Sequence, residues 1–174
     1  MRVAFVGSHR VGKTALLEAV HATRPAYEAV EEPYRLLEDE GYEFSDPPTA
    51  EDFERQLRCS IAAIDEAGAN TLFDRCPLDF VAYLQAIDAS DADEWLDEIR
   101  SAMETLDLIV LVSIESPDRI AVPSHEDRRL RQRVDELLRT LVLDDPHGFG
   151  VPTLDVEGTL EQRVSQVLRA LDAG

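Results

Sequence analysis

Residues Gly7-Ser8-His9-Arg10-Val11-Gly12-Lys13-Thr14 follow the pattern G-x-x-x-x-G-K-[ST] without a mismatch. Each residue type at that spacing suits a polyphosphate. Small residues let the backbone approach closely and turn several N–H groups inward. The start of a helix adds partial positive charge. Lys13 is a compact point charge that reaches between two phosphates, where arginine's planar fork would not substitute easily. Thr14 offers a hydroxyl to Mg2+. Gly7, Ser8, His9, Arg10, Val11, Gly12, Lys13 and Thr14 are therefore the expected nucleotide-binding set, with ATP and Mg2+ as cofactors. Composition adds weight: of 17 basic residues, 16 are arginine and only Lys13 is lysine.

Three further groups could act on a phosphate held there. In Phe73-Asp74-Arg75, a carboxylate at a strand end can orient Mg2+ and the adjacent arginine can neutralise a transferring phosphoryl group. In Glu32-Pro33, a carboxylate can accept the proton of an attacking hydroxyl. Glu31 is next door, and periodicity alone does not choose between the two. Arg128, Arg129, Arg131 and Arg133 concentrate positive charge in a chain of net charge −19. On a helix, Arg128 and Arg131 share one face and Arg129 and Arg133 another. One pair would close over phosphates while the other meets Glu or Asp. A solvated face laced by Glu126, Asp127, Asp135 and Glu136 is the alternative. His9, His21, His125 and His147 have no metal-ligand spacing, and His9 reads as a loop-exposed neighbour of the phosphates. Cys59 and Cys76 read as reduced core residues.

These residues need a scaffold. Val3–Val6 reads as a buried parallel strand ending at the glycine loop. A helix follows from Lys13 and stops before Pro25. Tyr27–Val30 reads as a second strand, ended by Glu31-Glu32-Pro33. Residues 40–48 form an irregular connection. Thr49-x-x-Asp52 is a capping-box variant that opens a helix carrying Phe53, Leu57, Ile61 and Ile64. Thr71–Phe73 is a third strand, and Pro77 opens the next helix. Trp95, Leu96, Ile99 and Met103 make a further helix, with Trp95 and Met103 in the core. Leu108–Ile114 reads as a central strand, ended by Ser116-Pro117. Residues 125–143 form the arginine-rich helix, Pro152–Val156 the fifth strand and Leu160–Leu171 the last helix. Alternating strands and helices imply a parallel sheet covered on both faces, with ligands beyond the strands' carboxyl ends.

The 174 residues are 44% hydrophobic and 30% charged, which fits one domain over residues 1–174. No run suits a membrane span or a signal peptide, so a cytoplasmic location is expected. A pI near 4.4 argues against nucleic acid as partner. A homodimer stays open.

The loop near residue 1, Glu-Pro after strand two, Asp-Arg after strand three and a late arginine-rich helix resemble the P-loop kinases of nucleosides and nucleotides. The segments YEAVEEPYRLLEDEGYEFSDPP and LFDRCPLDFVAYL resemble most the AAA-domain ATPase/kinase family related to nicotinamide riboside kinases. The resemblance spans nearly the whole chain. It implies an α/β three-layer sandwich, a five-stranded parallel sheet of order 2-3-1-4-5 and a mobile helical lid at about 116–135. In deoxynucleoside kinases the Glu before Pro activates the acceptor hydroxyl, which maps onto Glu32. Their strand-three motif is Glu-Arg-Ser, whereas thymidylate kinases have Asp-Arg, so Asp74 is implied to orient magnesium. Lid arginines map onto Arg128 and Arg131, and a base-recognising glutamine onto Gln56. Gly158-Thr159 is similar to the turn near adenine. No Asn-Lys-x-Asp guanine motif is present, and the chain is too short for an oligomeric AAA+ motor. The resemblance implies an ATP-dependent phosphotransferase with a small hydroxylated acceptor. The rival is a nucleotide-dependent switch or slow NTPase that acts through a partner protein.

Overall fold

The computed structural model describes residues 1–89, 92–115 and 127–173. Five strands form one parallel sheet: β1 (Arg2–Val6), β2 (Glu28–Val30), β3 (Thr71–Asp74), β4 (Leu108–Leu111) and β5 (Thr153–Asp155). Their order is β2-β3-β1-β4-β5, as the resemblance implied. The α-helices among the described residues are α1 (Lys13–Thr23), α2 (Pro33–Asp39), α3 (Ala50–Glu66), α4 (Pro77–Ala86), α5 (Leu96–Met103), α6 (Arg128–Arg139) and α7 (Leu160–Ala173); a 3-10 turn (Ala92–Trp95) leads into α5 and a π-helical stretch (Thr140–Asp144) continues α6.

The three layers follow from strand alternation. Val3 and Phe5 face one side of the sheet, where they pack with Leu16, Leu17 and Val20 of α1 and Val167 and Leu171 of α7. Ala4 and Val6 face the other, with Phe53 and Leu57 of α3, Leu78 and Phe80 of α4 and Ile99 of α5. Both faces are covered, so the interior strands are apolar between their ends: Val3–Val6 in β1, Leu72 and Phe73 in β3 and all of β4. None of the described helices is long and apolar enough to cross a membrane.

Register aligns the strand ends. Phe5 pairs with Asp74, and Val30 pairs with Phe73. The loop after β1, the carboxylate ending β3 and the Glu32 that follows β2 thus leave the sheet along one edge. This is where open α/β sheets place ligands.

Several expectations change. The sequence pattern does not predict α2, whose first position is Pro33. Its seven residues give only Leu36 and Leu37 as a periodic signal. The strand expected at Leu108–Ile114 ends at Leu111, and the central strand is β1, with β4 beside it. The arginine-rich helix starts at Arg128, because the Asp127 carboxylate accepts the N–H groups of Arg129 and Leu130 at 2.8 and 3.1 Å. Most of the expected lid, including Ser116, Pro117, His125 and Glu126, lies outside the described residues. Cys59 and Trp95 are half-buried rather than in the core; Cys76 and Met103 are buried. The Thr49/Asp52 capping box is present, and Cys76 and Asp79 form a second one that opens α4.

Candidate active site

The loop after β1 is gripped from two sides. On one side stands α4. The Asp79 carboxylate accepts the Gly7 N–H at 3.1 Å, and the Tyr83 hydroxyl accepts the His9 N–H at 3.0 Å. On the other stand α6 and α7. Arg131 donates to the carbonyls of His9 and Arg10 at 3.0 and 3.1 Å, and Arg163 to that of Val11 at 3.0 Å. In a planar trans peptide the carbonyl of one residue points opposite to the N–H of the next. Turning these three carbonyls onto arginines therefore turns the N–H groups of Arg10, Val11 and Gly12 the other way. Gly7 is needed for space: a Cβ there would lie 2.3 Å from the Val112 carbonyl oxygen.

Lys13 is buried, and its ammonium donates to the Ser8 carbonyl at 2.7 Å. Burial, then the charge of Arg75, lowers its pKa to about 8, against the opposing pull of Asp79, Asp74 and Glu32. The Thr14 hydroxyl donates to one Asp74 oxygen at 2.5 Å. The other Asp74 oxygen is buried without a partner. A buried carboxylate oxygen with nothing to accept, beside a hydroxyl at a helix start, suits a hard divalent cation. No group of three or more His, Cys, Asp or Glu gathers as a metal cage among the described residues. Mg2+ fits that donor set, since it is usually held by one or two carboxylates with waters and substrate phosphates.

Arg75 is the hub between the loop, α4 and Glu32. Its backbone has φ 88, in the left-handed region that non-glycine residues rarely adopt. The side chain is buried. It donates to Glu32 at 3.3 Å, to the Gly7 carbonyl at 3.2 Å and to Asp79 at 3.1 Å. The guanidinium lies 5.6 Å from the centre of the Tyr83 ring. Burial works against its charge, but Tyr83, Asp79, Glu32 and Asp74 outweigh it and hold its pKa above the ordinary value. Between the adjacent glutamates the fold decides: Glu32 turns to Arg75 while Glu31 is exposed. Glu32 has extended backbone and stands just before α2, so Pro33 fixes where the chain turns.

The other expected residues are placed as follows. Gln56 is buried on α3 with its amide N–H donated to the Asp52 carbonyl at 3.1 Å. It lies one turn from Phe53, whose ring stacks on Tyr83 at 4.9 Å. Gly158 and Thr159 line a cleft of about 350 Å³ together with Val11, Gly12, Glu115 and Arg163. There the Gly158 N–H donates to Glu115 at 2.7 Å, and Arg163 pairs with the same carboxylate at 2.9 Å. Arg131 is buried on the loop's carbonyls, whereas Arg128 and Arg129 are exposed at the start of α6. Arg133 is exposed and pairs with Asp88 at 2.9 Å. His9 is half-buried rather than loop-exposed, its ring nitrogen 3.2 Å from the Tyr83 hydroxyl.

Sequence reasoning missed Asp79, Tyr83, Glu115 and Arg163. Cys76-x-x-Asp79 repeats the spacing of Thr49-x-x-Asp52, so the first could have been found as a cap. Nothing in the sequence marks Arg163, one charged residue on a charged helix.

A family model described as an AAA domain matches residues 2–163. Comparison with curated proteins finds no match. Among solved structures, deoxyadenosine kinase from M. mycoides with bound dATP superposes with a TM-score of 0.69 at 13% identity, covering 99% of this chain and 100% of that one. Thymidylate kinase from Candida albicans gives 0.64 at 15% identity, over 98% and 90%. NadR protein in complex with NAD and AMP-PNP gives 0.67 at 18% identity, over 96% of this chain and 48% of that one. The chain has the fold of these proteins.

Proposed function

Since the chain belongs to the AAA-domain family and has the fold of nucleoside and nucleotide kinases, we propose that it is an ATP- and Mg2+-dependent phosphotransferase. The acceptor is a small hydroxylated metabolite of nucleoside or nucleotide type. The observation that carries this reading is the convergence on one sheet edge of Lys13, the Thr14–Asp74 pair and the Arg75–Glu32 pair.

The loop amides of residues 10–12 and the Lys13 ammonium bind the phosphate tail of ATP. Thr14 and Asp74 would hold Mg2+, which when bound would supply positive charge against the phosphate oxygens. Glu32 accepts the proton of the acceptor hydroxyl as its oxygen attacks the γ-phosphorus and the bond to ADP breaks. Arg75 faces both partners and neutralises charge on the moving group. Arg128, at the exposed start of α6, belongs to the phosphate side; Arg131 acts on the phosphates through the loop, whose His9 and Arg10 carbonyls it holds; Gly158 and Thr159 belong to the adenine side and Gln56 to the acceptor side. Positioning and electrostatics supply the rate. A cytoplasmic enzyme with no nucleic-acid partner fits this reading.

The test is ATP-dependent phosphorylation across a panel of nucleosides, nucleotides and other hydroxylated metabolites. One acceptor should raise ADP formation steeply, and Lys13→Ala should lower transfer at least about a hundredfold. ADP formation that no metabolite accelerates, and that only a macromolecule alters, would replace this reading by a nucleotide-dependent switch. Transfer by Lys13→Ala at the wild-type rate would remove the loop from the mechanism.

A further inference from the structure

The helix α4 carries two buried polar side chains one turn apart, Asp79 and Tyr83, and both point at the phosphate loop. Asp79 is fully buried at 0% exposure and takes three donors: the Gly7 N–H, the Cys76 N–H at 3.0 Å and the Arg75 guanidinium. The Tyr83 hydroxyl takes the His9 N–H, and its ring lies under the same guanidinium. Phe53 of α3 stacks on that ring and fixes it. Helix, loop and arginine are thus tied at four points with buried partners.

The pattern of the ties is selective. The amides of Gly7 and His9 are given to α4. The carbonyls of His9, Arg10 and Val11 are given to Arg131 and Arg163, which aims the next three amides away from those helices. We propose that Asp79 and Tyr83 are positioning residues that divide the loop's amides. They withhold Gly7 and His9 for the fold, so that the amides of Val11 and Gly12, turned away from α6 and α7, are aimed at phosphate before any nucleotide arrives. Neither side chain needs to touch the nucleotide. The inference rests on the nucleotide reading above, and it deepens it by naming what pre-forms the site.

Electrostatics and positioning predict opposite signs for Asp79. Removing its negative charge beside Arg75 and Lys13 would, by charge alone, favour a polyanion. Removing its role as an acceptor frees the loop. Asparagine offers one acceptor oxygen against three donors, so no rotamer satisfies them all. ATP·Mg2+ binding is measured by titration calorimetry for wild type, Asp79→Asn and Tyr83→Phe, with thermal unfolding of each. Tyr83→Phe keeps the ring and changes no charge, and it should raise the dissociation constant about fivefold. Asp79→Asn should raise it about tenfold. For both, the KM of the acceptor should stay within about twofold of wild type. Tighter or unchanged binding by Asp79→Asn overturns the inference, and so does unchanged binding by Tyr83→Phe. If Asp79→Asn does not fold, Tyr83→Phe decides alone. Wild type that binds no nucleotide sinks the nucleotide reading; wild type that binds while both variants bind equally well sinks only the positioning claim.

Discussion

The two carboxylate partners of Arg75 belong to differently built halves of the proposed site. On the side proposed for the nucleotide, Asp79 is fully buried, sits in the first turn of α4 and is itself held by two backbone N–H groups. On the side proposed for the acceptor, Glu32 is 28% exposed, its bond to Arg75 is longer at 3.3 Å, and it stands just before a seven-residue helix whose amides its side chain does not cap. The first ion pair is part of the core. The second is an exchangeable contact at its edge. A group that must release a partner to take a proton belongs on the exposed side, and a group that must hold a charge in place belongs on the buried one. The same division runs through the surroundings. The loop is backed by β4, α4, α6 and α7, whereas the stretch between α2 and α3 is mostly exposed.

The largest expected effect separates the halves by function. Glu32→Gln should lower kcat by about a hundredfold or more while the ATP dissociation constant and the unfolding temperature hardly move. Steady-state kinetics with the acceptor found by panel screening, and calorimetry for ATP, measure both. Equal turnover with glutamine at 32 removes it as the base. The next effect separates the halves by packing. Gly7→Ala drives a Cβ to 2.3 Å from the Val112 carbonyl oxygen, a backbone atom that cannot swing aside. It should cost about 2 kcal/mol or more in stability and weaken ATP binding. Gly41, which follows α2, has φ 88 with nothing within 4 Å of a Cβ. Gly41→Ala should cost only about 1 kcal/mol, all of it backbone strain, and leave ATP binding unchanged. Urea unfolding of the two variants compares them directly. Equal losses would erase the distinction between a crowded and an open half.

The same contrast governs what could be read before the fold was known. The loop of residues 7–14 was legible because its ligating groups are contiguous and its one lysine is unique in the chain. Asp74, Arg75 and Glu32 were legible because a parallel sheet carries its strand ends to one edge. The choice between Glu31 and Glu32 was not, since it depends on α2 starting at Pro33. The strand order came from family resemblance rather than from periodicity. The loop contacts of Asp79, Tyr83 and Arg163 were illegible because the partners lie 72, 74 and 152 residues away. The types and spacing of these three are those of ordinary helix residues, and only packing turns them toward the loop. Arg131 was found for its charge, but its buried contacts are with the loop's main chain.

The smallest effect tests how the open half is held. Asp52 lies in the first turn of α3 and accepts from the Thr49 N–H and hydroxyl at 2.7 and 2.8 Å, and from the Tyr42 hydroxyl at 2.9 Å. Burial pushes its pKa up, but these donors and the Ser45 N–H outweigh it and bring it to about 2. A carboxyl whose folded pKa is depressed stabilises the fold above its unfolded value, near 4, and loses that contribution as the pH falls through about 2. Asp52→Asn should therefore be less stable than wild type by about 1 kcal/mol at neutral pH. The gap should narrow as the pH falls from 4 toward 2, because only the wild-type residue titrates there. Thermal melts of both proteins across that range measure it. A gap that keeps its neutral-pH size down to pH 2 would mean that hydrogen-bond geometry alone, and not the carboxylate charge, anchors the start of α3. A gap of zero at pH 7 would mean that the acceptor-side helices are held by their apolar contacts with α4, and that the two halves differ less than their hydrogen bonds indicate.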